Sequence, residues 1–230
     1  VSTTPAVPPK RGVRSLVTLD HERELFAQGF ERVAGLDEVG TGAAAGPCYC
    51  ALVVVSAASL GAPVGLNDSK LLSARQREGL VPAITSWALD WSLGRASAGE
   101  IDEYGLTIAL RLAGHRALAA LRVAPDIVIL DGKRDWLTIP SSASLLAPDY
   151  GSSLRPEVRT MVKADRHCAS VAAASILAKV ERDRIMGELA LEFPEYEWGS
   201  NKGYLSAAHQ AAISANGLSP HHRASWALSS

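Results

Sequence analysis

Asp37 and Glu38 stand side by side in the string VAGLDEVGTGAAAGP (33–47), between an apolar run and a glycine-rich turn. Carboxylates held together repel one another and raise each other's pKa unless a cation joins them. Oxygen ligands of this kind suit a hard ion such as Mg²⁺ or Mn²⁺. Taken alone, the pair is also consistent with an ordinary solvated turn. Two further acids share its context. Asp131 closes the apolar run DIVIL (126–130) and precedes Gly132, and Asp165 follows MVKA (161–164) shortly before a long helical segment. Acids at strand ends project where loops gather, which in α/β folds is where ligands bind. Each of them singly is equally a turn former or a helix cap. Adjacent strand residues face opposite ways. Asp37 and Glu38 can therefore serve one ion cluster only if the strand finishes there and the backbone bends, which Gly40 and Gly42 would ease.

Apolar periodicity supplies the elements that must carry these acids. Strands are expected over 32–37, 48–55, 87–96, 126–131 and 158–162. The β-branched string CYCALVVV (48–55) has the character of a buried strand. Helices are expected over 20–28, 74–84, 106–121, 170–191 and 206–214. Ser73 is placed to cap the second of these, and Pro82 to break or kink its far end. Ser97 and Glu100 have capping-box spacing ahead of a short helical turn through Ile101 and Asp102. Strands alternating with helices indicate an α/β fold, while two strands joined by a short turn indicate an antiparallel pair. A mixed sheet flanked by helices satisfies both.

The chain has 230 residues, 47% of them hydrophobic and 20% charged, which is enough for one domain with a proper core. No apolar stretch reaches the roughly 18 residues of a membrane helix, and VSTTPAVPPKRGVRS (1–15) lacks the apolar region of a secretory signal. Cys48, Cys50 and Cys168 cannot all pair and form no zinc or redox motif, so buried reduced thiols in a cytoplasmic protein are expected. The formal net charge of -1 gives no bulk argument for nucleic acid, although a metal site and a local basic strip would suffice for it.

The strings AGLDEVGTGAAAGP (34–47), LNDSKLLS (66–73), IDEYGL (101–106), ILDG (129–132), KADRHCASVAAASILAKVERDR (163–184), NKGYLSAAH (201–209) and GLSPHHRASW (217–226) together resemble ribonuclease HII, the bacterial type 2 ribonuclease H. They occur in that family's order and cover most of residues 20–226. The resemblance implies an RNase H-like mixed sheet over 20–200, a helical substrate-contacting extension over 201–230, and a flexible tail over 1–19. It also implies a monomer that hydrolyses the RNA strand of RNA–DNA hybrids and nicks ribonucleotide-containing duplex DNA. The cofactor would be Mg²⁺ or Mn²⁺, in two-metal phosphodiester hydrolysis that leaves a 5′-phosphate and a 3′-hydroxyl. The family's catalytic and metal-binding acids fall on Asp37, Glu38, Asp131 and Asp165.

Substrate choice requires a reader of the ribose 2′-hydroxyl. The resemblance assigns that task to a turn at Gly40, Thr41 and Gly42 and to a tyrosine at Tyr204. Ser69 and Lys70 match a substrate-contacting segment, and Ser170, Ser175 and Lys179 fall on the long helix as phosphate-positioning candidates. His209, His222 and Arg223 match family positions without an assigned role. Thr41 departs from the pattern, since arginine is usual there, and a Gly-Thr-Gly turn is similar to that of the sister enzyme ribonuclease HIII. Threonine supplies neither the guanidinium fork nor its charge. Two alternatives therefore stand beside the main reading. One is a preference for continuous hybrid, as in that sister enzyme, whose extra N-terminal domain residues 1–19 are too short to supply. The other is a hybrid-binding protein without catalysis, against which the presence of all four acids weighs.

Overall fold

A computed structural model describes residues 17–59, 61–141 and 148–228. The elements run α1 (Asp20–Ala27), β1 (Arg32–Val39), β2 (Cys48–Ser56), α2 (Ala74–Trp87), β3 (Asp90–Ala96), α3 (Ala98–Tyr104), α4 (Leu106–Ala120), β4 (Ile127–Asp131), β5 (Glu157–Met161), α5 (Ala169–Glu192), α6 (Trp198–Asn201) and α7 (Ala207–Asn216). The strands form one mixed sheet in the order β3-β2-β1-β4-β5. β1–β2 and β2–β3 are antiparallel; β1–β4 and β4–β5 are parallel. This is the mixed α/β architecture expected from the sequence.

Alternation along each strand divides the core. Ala34, Leu36, Leu52, Val54, Val128 and Leu130 face α4, with Ala113 and Ala117 closing on them. Val33, Val53, Val55, Ile127 and Ile129 face the other way, against Val171, Ala174, Ile176 and Ala178 of α5. β2 is buried over almost its whole length because both its faces are covered, which is why it reads as a continuous apolar run rather than an alternating one. A third cluster, Ala44, Ala45, Met186, Tyr196, Trp198 and Ile213, fastens the C-terminal helices to the turn after β1.

Local chemistry sets the boundaries. Ser73 and Gln76 complete a capping box on α2, and Ser97 and Glu100 complete one on α3. Pro82 does not end α2, which continues to Trp87. Pro82 and Glu78, the residue whose carbonyl loses its N–H donor to the proline, both lie on the exposed side of the helix. Of the tail expected over 1–19, residues 1–16 lie outside the described residues. Thr18 is fixed: its N–H donates to the His167 carbonyl at 3.0 Å and its carbonyl accepts from Ala169 N–H at 2.8 Å. Among the described residues no helix is long and apolar enough to cross a membrane.

The close approach of α5 to the sheet depends on Gly35. A Cβ there would lie 2.3 Å from the Ser170 carbonyl carbon and 2.3 Å from the Val171 nitrogen. Both obstacles are backbone and cannot swing aside. Gly35→Ala is expected to lower the unfolding free energy by about 3 kcal/mol, the upper end of ordinary overpacking penalties, as read by urea denaturation. A loss below about 1 kcal/mol would mean that α5 shifts freely on the sheet.

Candidate active site

β1 and β4 pair in register as far as Leu36↔Leu130 and then part. β1 continues against β2 as far as Val39↔Tyr49, and β4 continues against β5 to Asp131↔Met161. Asp37 and Asp131 are the first residues beyond the split, and both continue the alternation of the α5 face. They sit at the carboxyl ends of parallel strands, where open sheets collect ligands. The structure corrects one expectation. The strand does not finish at Asp37; it remains paired through Glu38 and Val39. What opens the site is the loss of the β4 neighbour; Glu38, the next residue, stays near enough for Asp131 and Asp165 to raise its pKa.

Asp165 comes from a one-turn helix, Ala164–Arg166, that follows β5. Asp131 anchors this turn by accepting a hydrogen bond from Ala164 N–H at 2.7 Å. Asp37 accepts from the N–H of Glu38 at 2.8 Å. Burial pushes the Asp37 carboxyl well above the usual range, helped by the charges of Glu38 and Asp131. Burial and then Asp131 push Glu38 up to about 7, with Lys70 pulling the other way. Burial, Asp131 and Asp68 push Asp165 up to about 6, opposed by Lys70 and Arg166. The acids are thus within electrostatic reach of one another. Among the described residues no three His, Cys, Asp or Glu side chains close into a ready-made ion cage. One oxygen of Glu38, Oε2, is buried without a hydrogen-bond partner. A desolvated anionic cluster with an unpaired oxygen is a donor set suited to a hard divalent cation.

The remaining predicted residues separate into two groups. Lys70 is exposed beside the acids and Ser69 is buried. Asp68 holds their loop by capping Lys70 N–H at 2.9 Å and taking Arg166 Nη2 at 3.0 Å. Gly40, Thr41 and Gly42 form the turn directly after β1, and a Cβ on Gly42 would lie 3.8 Å from Tyr204 Cε1. Tyr204 is itself exposed. The turn and the tyrosine are therefore neighbours, as the shared task expected of them requires.

The serines and the lysine of α5 do other work. Ser170 is wholly buried, and its N–H and Oγ–H both donate to Glu22 Oε1, at 2.8 and 2.6 Å. It fastens α1 to the start of α5 and does not face a groove. Ser175 is buried and accepts the Ser69 N–H at 3.3 Å, so it supports the Lys70 loop from behind. Lys179 is paired with Asp183 at 2.5 Å, and Asp183 also receives Arg77 at 3.2 Å.

Three supports were not singled out from the sequence: Glu22, Asp68 and Arg166. Glu22 carried a signal, since it shares a helical face with Leu25 and Phe26 in an otherwise polar segment. Around Tyr204 the imidazoles now have a place. His209 Nδ1 meets the Tyr204 carbonyl at 3.0 Å, and its Nε2 meets His222 Nε2 at 3.0 Å and Trp198 Nε1 at 3.1 Å. Burial draws the His222 pKa down to about 4, so that ring stays neutral near pH 7 and accepts the Ser219 N–H at its Nδ1.

The sequence model of Ribonuclease HII matches residues 34–229. The chain belongs to the ribonuclease HII family. A ribonuclease HII of Streptomyces coelicolor is 47% identical over 210 residues, covering 90% of this chain and 82% of that protein. One from Roseobacter denitrificans is 43% identical over 198 residues, covering 86% and 91%. Among solved structures, the ribonuclease H2 of Pyrococcus horikoshii superposes with a TM-score of 0.66 at 26% identity, over 86% of this chain and 94% of that one. The chain is accordingly an enzyme, an endonuclease of the ribonuclease H class.

The raised carboxyls give the ion-free protein a defined pH response. A carboxyl whose folded pKa lies above its unfolded value binds more protons folded than unfolded across the window between the two, so stability falls as pH rises through it. For Glu38 the window runs from 4.5 to about 7. In chelator, unfolding free energy is expected to drop across this window by on the order of 2 kcal/mol on account of Glu38, and Glu38→Gln is expected to remove that part of the slope. Equal slopes for wild type and Glu38→Gln in calorimetry across pH 4.5–7 would contradict the coupling.

Proposed function

We propose that this enzyme hydrolyses the RNA strand of RNA–DNA hybrids and nicks 5′ of ribonucleotides embedded in duplex DNA, leaving a 5′-phosphate and a 3′-hydroxyl. The observation that carries this reading is the adjacency of the anionic cluster at the β1–β4 split to the Gly40–Thr41–Gly42 turn and its neighbour Tyr204. Asp37, Glu38, Asp131 and Asp165 are the catalytic groups and would hold Mg²⁺ or Mn²⁺. The unpaired Glu38 oxygen and the mutual repulsion of the acids suit such ions. When bound there, divalent ions supply Lewis acidity and charge neutralisation for phosphodiester hydrolysis.

The chain's own residues do the positioning. Asp131 orients the Asp165 turn through Ala164 N–H. Lys70, exposed on a loop pinned by Asp68, contributes a cation for a phosphate beside the acids. Gly40 and Gly42 let backbone approach the ribose, while Tyr204 offers an apolar face to the sugar. Ser69 enters as a loop residue, and Ser170, Ser175 and Lys179 act through the supports described above.

A three-duplex cleavage assay tests the reading: all-DNA, one embedded ribonucleotide, and continuous RNA–DNA hybrid, each with Mg²⁺, with Mn²⁺ and with chelator. Cleavage is expected only of the last two duplexes and only with metal. Asp131→Asn is expected to reduce kcat by roughly a thousandfold, about 4 kcal/mol of transition-state stabilisation, while still binding hybrid. Hybrid binding by wild type without cleavage under any metal would favour a binding module instead.

Thr41 supports a second reading, in which continuous hybrid is the better substrate. Hydrogen bonds to backbone depend on the glycines and survive the replacement, whereas the missing guanidinium weakens phosphate anchoring. Thr41→Arg is expected to steepen the dependence of log affinity on log salt by about 0.9, the signature of one added phosphate contact, and to raise selectivity for the single ribonucleotide. Unchanged slope and unchanged selectivity in a fluorescence-anisotropy titration would remove Thr41 from the account.

A further inference from the structure

The loop after β1 turns its carbonyl oxygens inward onto two buried guanidinium groups. Arg223 Nη1 donates to Thr41 O at 2.9 Å, and its Nη2 donates to Gly40 O at 2.5 Å and Gly46 O at 3.2 Å. The backbone N–H of Arg223 donates to Ala44 O at 2.9 Å. Arg182 takes the far end of the loop, donating from Nε to Pro47 O at 2.9 Å and from Nη2 to Ala45 O at 3.2 Å. Its guanidinium also lies 5.7 Å from the Tyr204 ring centre. Gly40, at φ 84°, is held so close that a Cβ would fall 2.1 Å from Arg182 Nε.

Both arginines are fully buried, and neither makes a salt bridge among the described residues. A buried cation with no carboxylate costs stability that an apolar side chain of similar volume would not. Its use here is therefore geometric. Every peptide bond in the described chain is trans, and a trans peptide points its C=O and N–H in opposite directions. Drawing the Gly40 carbonyl inward turns Thr41 N–H outward; drawing the Thr41 carbonyl inward turns Gly42 N–H outward. Neither N–H takes a partner among the described residues, and Gly42 is exposed beside Tyr204. A guanidinium hydrogen-bonded to a carbonyl also polarises the peptide, which strengthens its N–H as a donor.

We propose that Arg223 is the positioning residue for ribose recognition: its fork aims the N–H groups of Thr41 and Gly42 at the 2′-hydroxyl and adjoining phosphate oxygen of a ribonucleotide. The proposal rests on the reading of this turn as the ribose sensor. It also places a positive charge beneath a turn whose outer residue, Thr41, has none.

The test compares wild type, Arg223→Lys and Arg223→Ala for binding to a duplex with one embedded ribonucleotide and to the same duplex in all-DNA form. Fluorescence anisotropy is read in chelator so that no cleavage intervenes, with near-UV circular dichroism as the check of folding. Wild type is expected to prefer the ribonucleotide duplex, and Arg223→Ala to lose that preference by roughly tenfold, the worth of one charge-assisted hydrogen bond, with all-DNA affinity within about twofold. Millimolar ethylguanidinium is expected to restore preference to Arg223→Ala, which loss of packing alone would not allow. Arg223→Lys keeps the charge without the fork and is expected to lose about threefold, which decides the matter if the alanine variant does not fold. Folded variants with wild-type preference overturn the proposal, as does an equal loss of affinity for both duplexes. A wild type with no preference overturns the reading of the turn as a ribose sensor, and the proposal falls with it.

Discussion

Repulsion among crowded carboxylates is the constraint around which the acid-bearing end of the sheet is arranged. Asp37 and Asp131 occupy the positions where the β1–β4 ladder would have continued past Leu36↔Leu130. Glu38 and Asp165 come close enough to raise and share the electrostatic cost. Such a cluster is unstable against both protonation and spreading apart. It persists because each acid is fixed by backbone that the core holds elsewhere: β1 is clamped between β2 and β4, and Asp131 is tied to the turn carrying Asp165. Lys70 and Arg166 offset part of the negative charge at Asp165. The uncompensated remainder is the negative charge that, on the function proposed above, divalent cations would neutralise.

The turn after β1 and the C-terminal segment present the opposite electrostatic problem. Arg182 and Arg223 are buried cations held by carbonyl dipoles, with Arg223 Nε left without a partner among the described residues, and the loop they organise also carries the docking of the C-terminal segment. Ala45 N–H donates to Gly203 O at 3.1 Å and Gly46 N–H to His221 O at 2.8 Å. The imidazole pair His209 and His222 then ties the Tyr204 carbonyl to Trp198 and the aromatic cluster beneath. Turn and tyrosine are thus two ends of one cross-linked unit, even though more than 160 residues separate them in the chain. The C-terminal extension is better described as the second wall of the turn than as an appendage.

Much of the fold was legible in the sequence because its signals are local. The cap at Ser73, the capping box at Ser97, the apolar run of β2 and the short turn between β1 and β2 each specify an element without tertiary help. Strand-end acids pointed to Asp37, Asp131 and Asp165 as neighbours for the same reason. The supports were less legible. Ser170 and Ser175 looked like polar groups available to substrate, and only the packing of α5 against Glu22 and the Ser69 loop shows that their hydroxyls face inward. The split between β1 and β4 is a long-range event with no local signature, so a strand end was expected where the strand continues. Pro82 shows the converse: the local rule was sound, but the exposed position of Pro82 and Glu78 removed its consequence.

Both regions are registered by one helix. At 1.5 Å rise per residue, α5 spans the depth of the domain, and its side chains meet successive parts of the site in order. Ser170 fixes its start beside β1 and Glu22; Ser175 supports the loop of Lys70; Arg182 meets the Gly40 turn; Met186 lies against Gly46. Its first half is wrapped in small residues, which lets it press on β1 at Gly35 and explains why it shows little amphipathic contrast: most of that surface is packed. A rigid helix fixes the separation between acids and turn; on the function proposed above, that separation would set which phosphodiester lies over the acids once a ribose is held. Rotation or slippage of α5 would move the sensor relative to the chemistry without altering either. The tight Gly35 contact, which seats α5 on β1, therefore bears on the spacing of acids and turn as well as on stability.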